Sequence, residues 1–123
     1  MTFRSVRAIG LRLPGVEEST MYGAPALKLG KKWIACIASH KSAEPDTLVV
    51  WTSFEQRDAL IDEAPDTYYV KEHYQPYPVV LIRLSKANPD AMRDLLNAAH
   101  RLVSAANFEK NTKKRKPRFR AIS

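Results

Sequence analysis

The run YPVVLIRL, residues 77–84, is the most β-branched stretch of the chain, and the triplet Asn88-Pro89-Asp90 follows it closely. β-branched side chains suit the pleated, half-buried surface of a sheet, so the run reads as a strand. The triplet combines an N-cap, a proline at the first helical position and an acid in the first turn, which together start a helix. Met92, Leu95, Leu96, Ala99, Leu102, Val103 and Ala106 then recur at helical spacing and give that helix one apolar stripe. A strand leading into an amphipathic helix commits the chain to a sheet with helices laid on it.

The remaining segments fit the same plan. Phe3, Val6, Ile9, Gly10 and Leu13 share a face of a first helix that begins after Thr2 and ends at Pro14-Gly15. The segment VEESTMYG is expected to be a loop. PALKL and WIACIAS flank Gly30-Lys31-Lys32 as a hairpin, and TLVVWT makes a third strand. Ser53, with Gln56 three residues on, caps a second helix that closes at Ala64-Pro65-Asp66. Helices and clustered strands in this order, joined by short connections, predict an α+β fold of two layers, an antiparallel sheet with helices packed on one face.

The 123 residues carry a net charge of +7, and its distribution matters more than its size. Residues 108–123 alone hold +6 (Lys110, Lys113, Lys114, Arg115, Lys116, Arg118 and Arg120 against Glu109), which leaves +1 for residues 1–107. The chain therefore divides into an α+β domain, 1–107, and a basic, mobile tail, 108–123. The tail is compatible with nucleic-acid affinity, an acidic partner, an import-like address or a solvated solubility segment. No run approaches the ~20 apolar residues that span a bilayer, and MTFRSVRAIGLRLPG lacks an uninterrupted apolar core for a signal peptide. One cysteine and three histidines exclude a disulfide within the chain and a cysteine-rich zinc module, and the expected location is the cytoplasm.

No motif marks a catalytic residue, a metal site or a cofactor. Cys36 sits among apolar neighbours and reads as a buried thiol, and Ser19, Thr20, Ser39 and Ser53 lack the glycines of a nucleophile elbow. His40 belongs to a loop, and His100 reads as a half-exposed helical residue with a local partner. On the wheel of helix two Arg57 falls with Phe54, Ile61 and Ala64, so it should lie against the sheet or a loop and pair with Glu17 or Glu18. An enzyme would need Arg57, His73 and a carboxylate to converge.

Two features invite binding. Lys28, Lys31 and Lys32 cluster at a hairpin tip beside Trp33, a pattern suited to sequence-independent phosphate contact or to an ordinary solvated turn. The segment TYYVKEHYQPYP gathers Tyr68, Tyr69, Tyr74 and Tyr77 around Lys71 and His73. These rings either stack on bases or an aromatic ligand while the cations take phosphates, or plug the edge of the sheet. A small-ligand or protein-partner site would use Trp33, Trp51, Tyr68, Tyr69 and Tyr77 as its walls.

LPGVEESTMYGAPALKLGKKWIACI, TLVVWTSFEQRDALI, YYVKEHYQPYPVVLIRL and NPDAMRDLLNAAHRLV, taken in order, resemble the MmcQ/YjbR family over residues 3 to about 106. The resemblance implies a frataxin-like α+β fold and a non-enzymatic, double-wing DNA-binding surface. On matching positions the wings are Lys28, Lys31 and Lys32 on the hairpin and Lys71, His73 and Tyr74 before the last strand. Lys113, Lys114, Arg115 and Lys116 of the tail would add affinity for DNA, and no membrane partner is expected. This chain departs from the family pattern at Glu72 and Pro76, where members often carry Pro and Gly.

Overall fold

The structure, a computed structural model, describes residues 1–106 with their side chains. Side chains from 107 onward, and Ser123, are outside the described residues, and with them the expected tail 108–123. In chain order the elements are α1 (Phe3–Gly10), β1 (Val16–Met21), β2 (Ala24–Leu29), β3 (Lys32–Ile37), β4 (Thr47–Trp51), α2 (Phe54–Glu63), β5 (Tyr68–Tyr69), β6 (Val79–Arg83), a short 3-10 turn (Leu84–Lys86) and α3 (Pro89–Ile122). The strands form one six-stranded antiparallel sheet in the order β1-β2-β3-β4-β6-β5.

The run 77–84 supplies β6, which lies inside the sheet between β4 and β5. Alternation sends Val80 and Ile82 to one face and Val79 and Leu81 to the other, and all four are at most 2% exposed. The first face meets Leu48 and Val50 of β4, Val6 of α1, and Met92, Leu95, Leu96, Ala99 and Val103 of α3. Leu60, Ile61 and Ala64 of α2 pack on the same cluster, so all three helices cover one face and the α+β expectation holds. Gly10 allows α1 its close approach, because a Cβ there would overlap the δ-carbon of buried Leu27.

Helix boundaries follow their caps. Ser53 Oγ accepts the Gln56 backbone N–H at 3.0 Å, and Asn88 Oδ1 accepts those of Asp90 and Ala91 at 2.8 and 3.2 Å. The first helix is shorter than expected, ending at Gly10 instead of Leu13, with the Leu11 N–H bonded to Arg7 O at 2.9 Å.

The segment expected to be a loop, VEESTMYG, is instead strand β1 and a turn. Its pattern misled because only Val16 is buried; the strand is held by main-chain pairing along β2 and lies at the edge of the sheet. Edge strands need little apolar content, and Glu17 and Glu18 discourage pairing with another chain. Tyr22 and Gly23, both at positive φ (52° and 79°), make the two-residue turn to β2. The next turn is Gly30-Lys31 alone, with Lys32 already the first residue of β3.

Candidate functional site

The face away from the helices has no helix to cover it, and loops and aromatic rings close it only in part. Trp33 and Cys36 both point to this face although strict alternation would separate residues three apart. A bulge resolves this: Lys28 pairs with Trp33 and Leu27 with Ala35, so Ile34 is the extra residue and turns into the helix-side core. The bulge thereby places Trp33 against Trp51 of β4, with ring centroids 5.2 Å apart and planes tilted by 40°. Lys32 Nζ sits 4.8 Å from the Trp51 ring centroid, close enough for a cation–π contact.

The 70–78 loop between β5 and β6 forms the opposite wall, and Arg57 pins it. Its Nη1 donates to Gln75 O at 3.1 Å and Tyr77 O at 3.0 Å, and its guanidinium lies 4.9 Å from the Phe54 ring centroid. Arg57 is 7% exposed, as expected of a residue turned against a neighbouring loop. Its expected partner is corrected. Glu18 pairs with Arg7, and the nearest carboxylate to Arg57 is the largely solvated Asp58, with Nε 3.6 Å from Oδ1. The loop that takes the guanidinium is 70–78, where the carbonyls of Gln75 and Tyr77 turn toward it from an irregular backbone, that of Tyr77 also accepting the Val79 N–H of β6 at 2.8 Å.

A second knot holds the 38–46 loop. The Tyr69 hydroxyl accepts the Glu44 N–H at 3.0 Å and lies 2.6 Å from Thr47 Oγ1. Arg83 grips the Glu44 carboxylate through Nε (3.0 and 3.2 Å) and Nη2 (2.7 Å), donates to Pro65 O and Asp66 O, and lies 4.2 Å from the Tyr69 ring. Hydrogen bonding to Arg83 holds the Glu44 carboxyl below its ordinary range.

Together the two loops bring His40 onto His73. The rings stack with centroids 3.6 Å apart and planes within 5°, and Tyr74 stands edge-on to both. His40 Nδ1 accepts the Ser42 N–H at 3.1 Å and faces Ser42 Oγ at 2.7 Å, so that nitrogen carries the lone pair. Desolvation, then the nearby His73 and Lys41, lowers the pKa of His40. Desolvation raises that of Tyr74, partly offset by a hydrogen bond to the His40 main chain.

Between these walls runs an open groove. One compartment of about 380 Å³ is lined by Met21, Tyr22, Trp33, Cys36, His40, His73 and Tyr74 among others. The adjoining one, of about 410 Å³, shares Tyr22, Trp33, Val49, His73 and Tyr74 with it and adds Trp51, Tyr77 and Val79. Of the residues named from sequence, Trp33, Trp51, His73, Tyr74 and Tyr77 therefore meet in one place. Lys28 lies opposite Trp33, Lys32 lies over Trp51, and Lys71 Nζ is 5.9 Å from the Tyr69 ring centroid; Lys31 occupies the exposed turn. Tyr68 belongs to the helix-side core, and Tyr69 is buried with its hydroxyl engaged, so neither forms a wall. Lys113, Lys114, Arg115 and Lys116 lie outside the described residues.

The sequence matches the family model YjbR over residues 11–102. The chain belongs to the YjbR family. The YjbR domain also matches a crystal structure of Deinococcus radiodurans protein DR2400, a DUF419 domain, with a TM-score of 0.66 and 17% identity over 84% of this chain and 78% of that one. At that identity the likeness concerns the fold. A search of curated proteins returns no significant match.

Tyr22, Met21 and His40 are among the groove residues that the sequence does not mark for binding. Tyr22 falls in the segment expected to be a loop, yet it is 89% exposed at the β1–β2 turn and borders both compartments. The Tyr-Gly dipeptide between two pairing segments is the signal that would have found it. Met21 and His40 carry no local signal, since only folding brings them to the groove. His100 is also corrected: its Nε2 lies 2.7 Å from Pro14 O, a partner 86 residues away that can only accept.

Among the described residues no three His, Cys, Asp or Glu side chains are grouped to hold a metal ion, and Arg57 is engaged by Gln75, Tyr77, Asp58 and Phe54. Cys36 lines the groove, and burial pushes its thiol up to about 11. Native Cys36 is therefore expected to resist iodoacetamide at pH 8 and to react on unfolding, as mass spectrometry would read. The thiol's ordinary value is 9.0, so above pH 9 the unfolded chain releases its proton first and stability is lost as pH rises toward 11. Cys36→Ala should lose less stability than the native chain across that window in urea titrations at stepped pH.

Proposed function

We propose that this YjbR domain is a non-enzymatic DNA-binding module that meets the phosphate backbone with Lys28, Lys31, Lys32 and Lys71. The supporting observation is that four lysines border one groove although residues 1–107 carry a net charge of only +1, with Glu17 opposite Lys28 in the β1–β2 register and Glu72 next to Lys71 as acids on the same side. Glu55, Asp58, Asp62 and Glu63 lie on α2, with Asp66 just beyond it, while Glu44 is neutralised by Arg83. The lysines, in contrast, flank the open groove on the β2–β3 hairpin and the 70–78 loop. Phosphate contact needs cations clustered on one surface, and total charge is a poor guide to it. His73 and Tyr74 line both compartments of the groove that the lysines border.

The basic residues of 108–123 raise affinity without adding sequence preference. A cytoplasmic setting accords with the single thiol, and among the described residues no helix is long and apolar enough to cross a membrane. The test is anisotropy of labelled DNA at stepped salt, for the full chain and for a chain ending at Asn107. The logarithm of affinity should fall linearly with that of salt, by roughly 0.9 per phosphate neutralised, and the shorter chain should bind more weakly with a shallower slope. Absence of binding by the full chain at low salt rejects the module. Equal binding by both chains rejects the part assigned to the tail.

The groove also supports a second reading, a small-ligand site. Its compartments fall in the size range of such sites, roughly 300–1,000 Å³, and its floor of Trp33, Cys36, Val49 and Trp51 is largely apolar.

A further inference from the structure

We infer that the groove on the open sheet face takes unpaired bases of a single strand, whose phosphates reach the flanking lysines. This rests on the DNA-binding reading above and states which form of DNA the surface selects. The cations alone would serve any polyanion, paired or not. The groove is different, because exposed aromatic rings border its opening above a floor of packed indoles. Trp33 and Trp51 are joined at 5.2 Å, and Tyr22 and Tyr77 border the opening at 89% and 54% exposure.

A duplex keeps its bases stacked on one another and shows a protein only their edges, so aromatic faces gain nothing from it. An unpaired base has a free π face, and stacking it on an aromatic side chain is favourable whatever the base. Charge complementarity selects a strand over an uncharged aromatic ligand. Lys32 borders the groove at Trp51, and Lys71 stands beyond it at Tyr69, so cations flank the rings on two sides. A single mononucleotide would leave one of these groups unused; successive phosphates can use both.

The site is also built before any ligand arrives. Arg57 holds the carbonyls of Gln75 and Tyr77, and the Tyr69, Glu44 and Arg83 knot holds the loop of His40. Ordering a loop on binding subtracts from affinity, and here the walls are already fixed.

The experiment uses the full chain and four probes: a labelled oligothymidylate of twelve residues, a duplex of the same length, an abasic strand of the same length, and thymidine monophosphate as competitor. Oligothymidylate is expected to bind at least tenfold more tightly than the duplex or the abasic strand. Tyr77→Ala and Tyr22→Asn should each cut the ratio of oligothymidylate to abasic affinity by roughly fivefold or more. Both side chains are exposed, and Asn tolerates the positive φ of position 22, so the fold is kept.

Equal affinity for the abasic strand, or tighter binding of the duplex, overturns the inference and leaves the phosphate reading standing. Displacement by thymidine monophosphate at the strand's own dissociation constant also overturns it, in favour of a free-nucleotide site. Failure of every polymer to bind overturns both readings.

Discussion

Arg57→Ala is expected to lower the unfolding free energy by about 2–4 kcal/mol, a large share of what a domain of this size has to spare. The guanidinium makes two hydrogen bonds to main-chain carbonyls, at 3.1 and 3.0 Å, and hydrogen bonds from charged donors contribute more than neutral ones. Removing it leaves Gln75 O and Tyr77 O without that donor and opens a void beside Phe54. A partial offset comes from Nε, which is buried without a hydrogen-bond partner and costs free energy in the native protein. Arg57→Lys should recover only part of the loss, because an ammonium lacks the planar fork that spans two carbonyls. Urea titrations followed by tryptophan fluorescence would measure both, and a loss below about 0.5 kcal/mol for Arg57→Ala would remove the pinning role. Since the pinned loop walls the groove, the same variant should weaken ligand binding even under conditions where it is folded.

The second large effect concerns the hairpin. In the combined variant Lys28→Gln, Lys31→Gln, Lys32→Gln, affinity for duplex DNA near 0.1 M salt should fall by roughly a few hundredfold, and the salt slope should become shallower by about 2.7. That follows from three lost phosphate contacts at about 0.9 each. Glutamine is chosen over alanine because Lys32 extends over Trp51 and Lys28 lies opposite Trp33, so the stems cover ring surface that alanine would expose. Stability should stay within about 0.5 kcal/mol of the native chain. An unchanged slope would mean that these lysines are a solvated turn and that the phosphates are met elsewhere.

Local patterns were sufficient wherever one segment carries its own physics. The β-branched run at 77–84, the caps at Ser53 and Asn88, and the apolar stripe of α3 each bury or satisfy groups within a few residues, and each was found near its expected place. Strand β1 was not legible, because an edge strand is held by main-chain bonds to its neighbour and needs no apolar alternation of its own. The position of Arg57 on the helix wheel showed that it turns inward, yet the wheel cannot say which loop lies there. Glu18 was a reasonable partner by charge, but Arg7 takes it, and the guanidinium is satisfied by carbonyls that carry no sequence signal.

The amino-acid sequence by itself determined the two-layer α+β plan and the separation of charge between 1–107 and 108–123, since these depend on composition and short-range periodicity, and its ordered motifs carried the family resemblance. Only the tertiary structure decided that Trp33 and Trp51, Tyr22, His40 and the 70–78 loop share one groove. Three events produce it: the bulge at Ile34 within the β2–β3 hairpin that turns Trp33 to the open face, the Arg57 bonds to the loop, and the Tyr69 knot that brings His40 to His73. The last two join segments distant in the chain, so their free energy exists only once the sheet has formed.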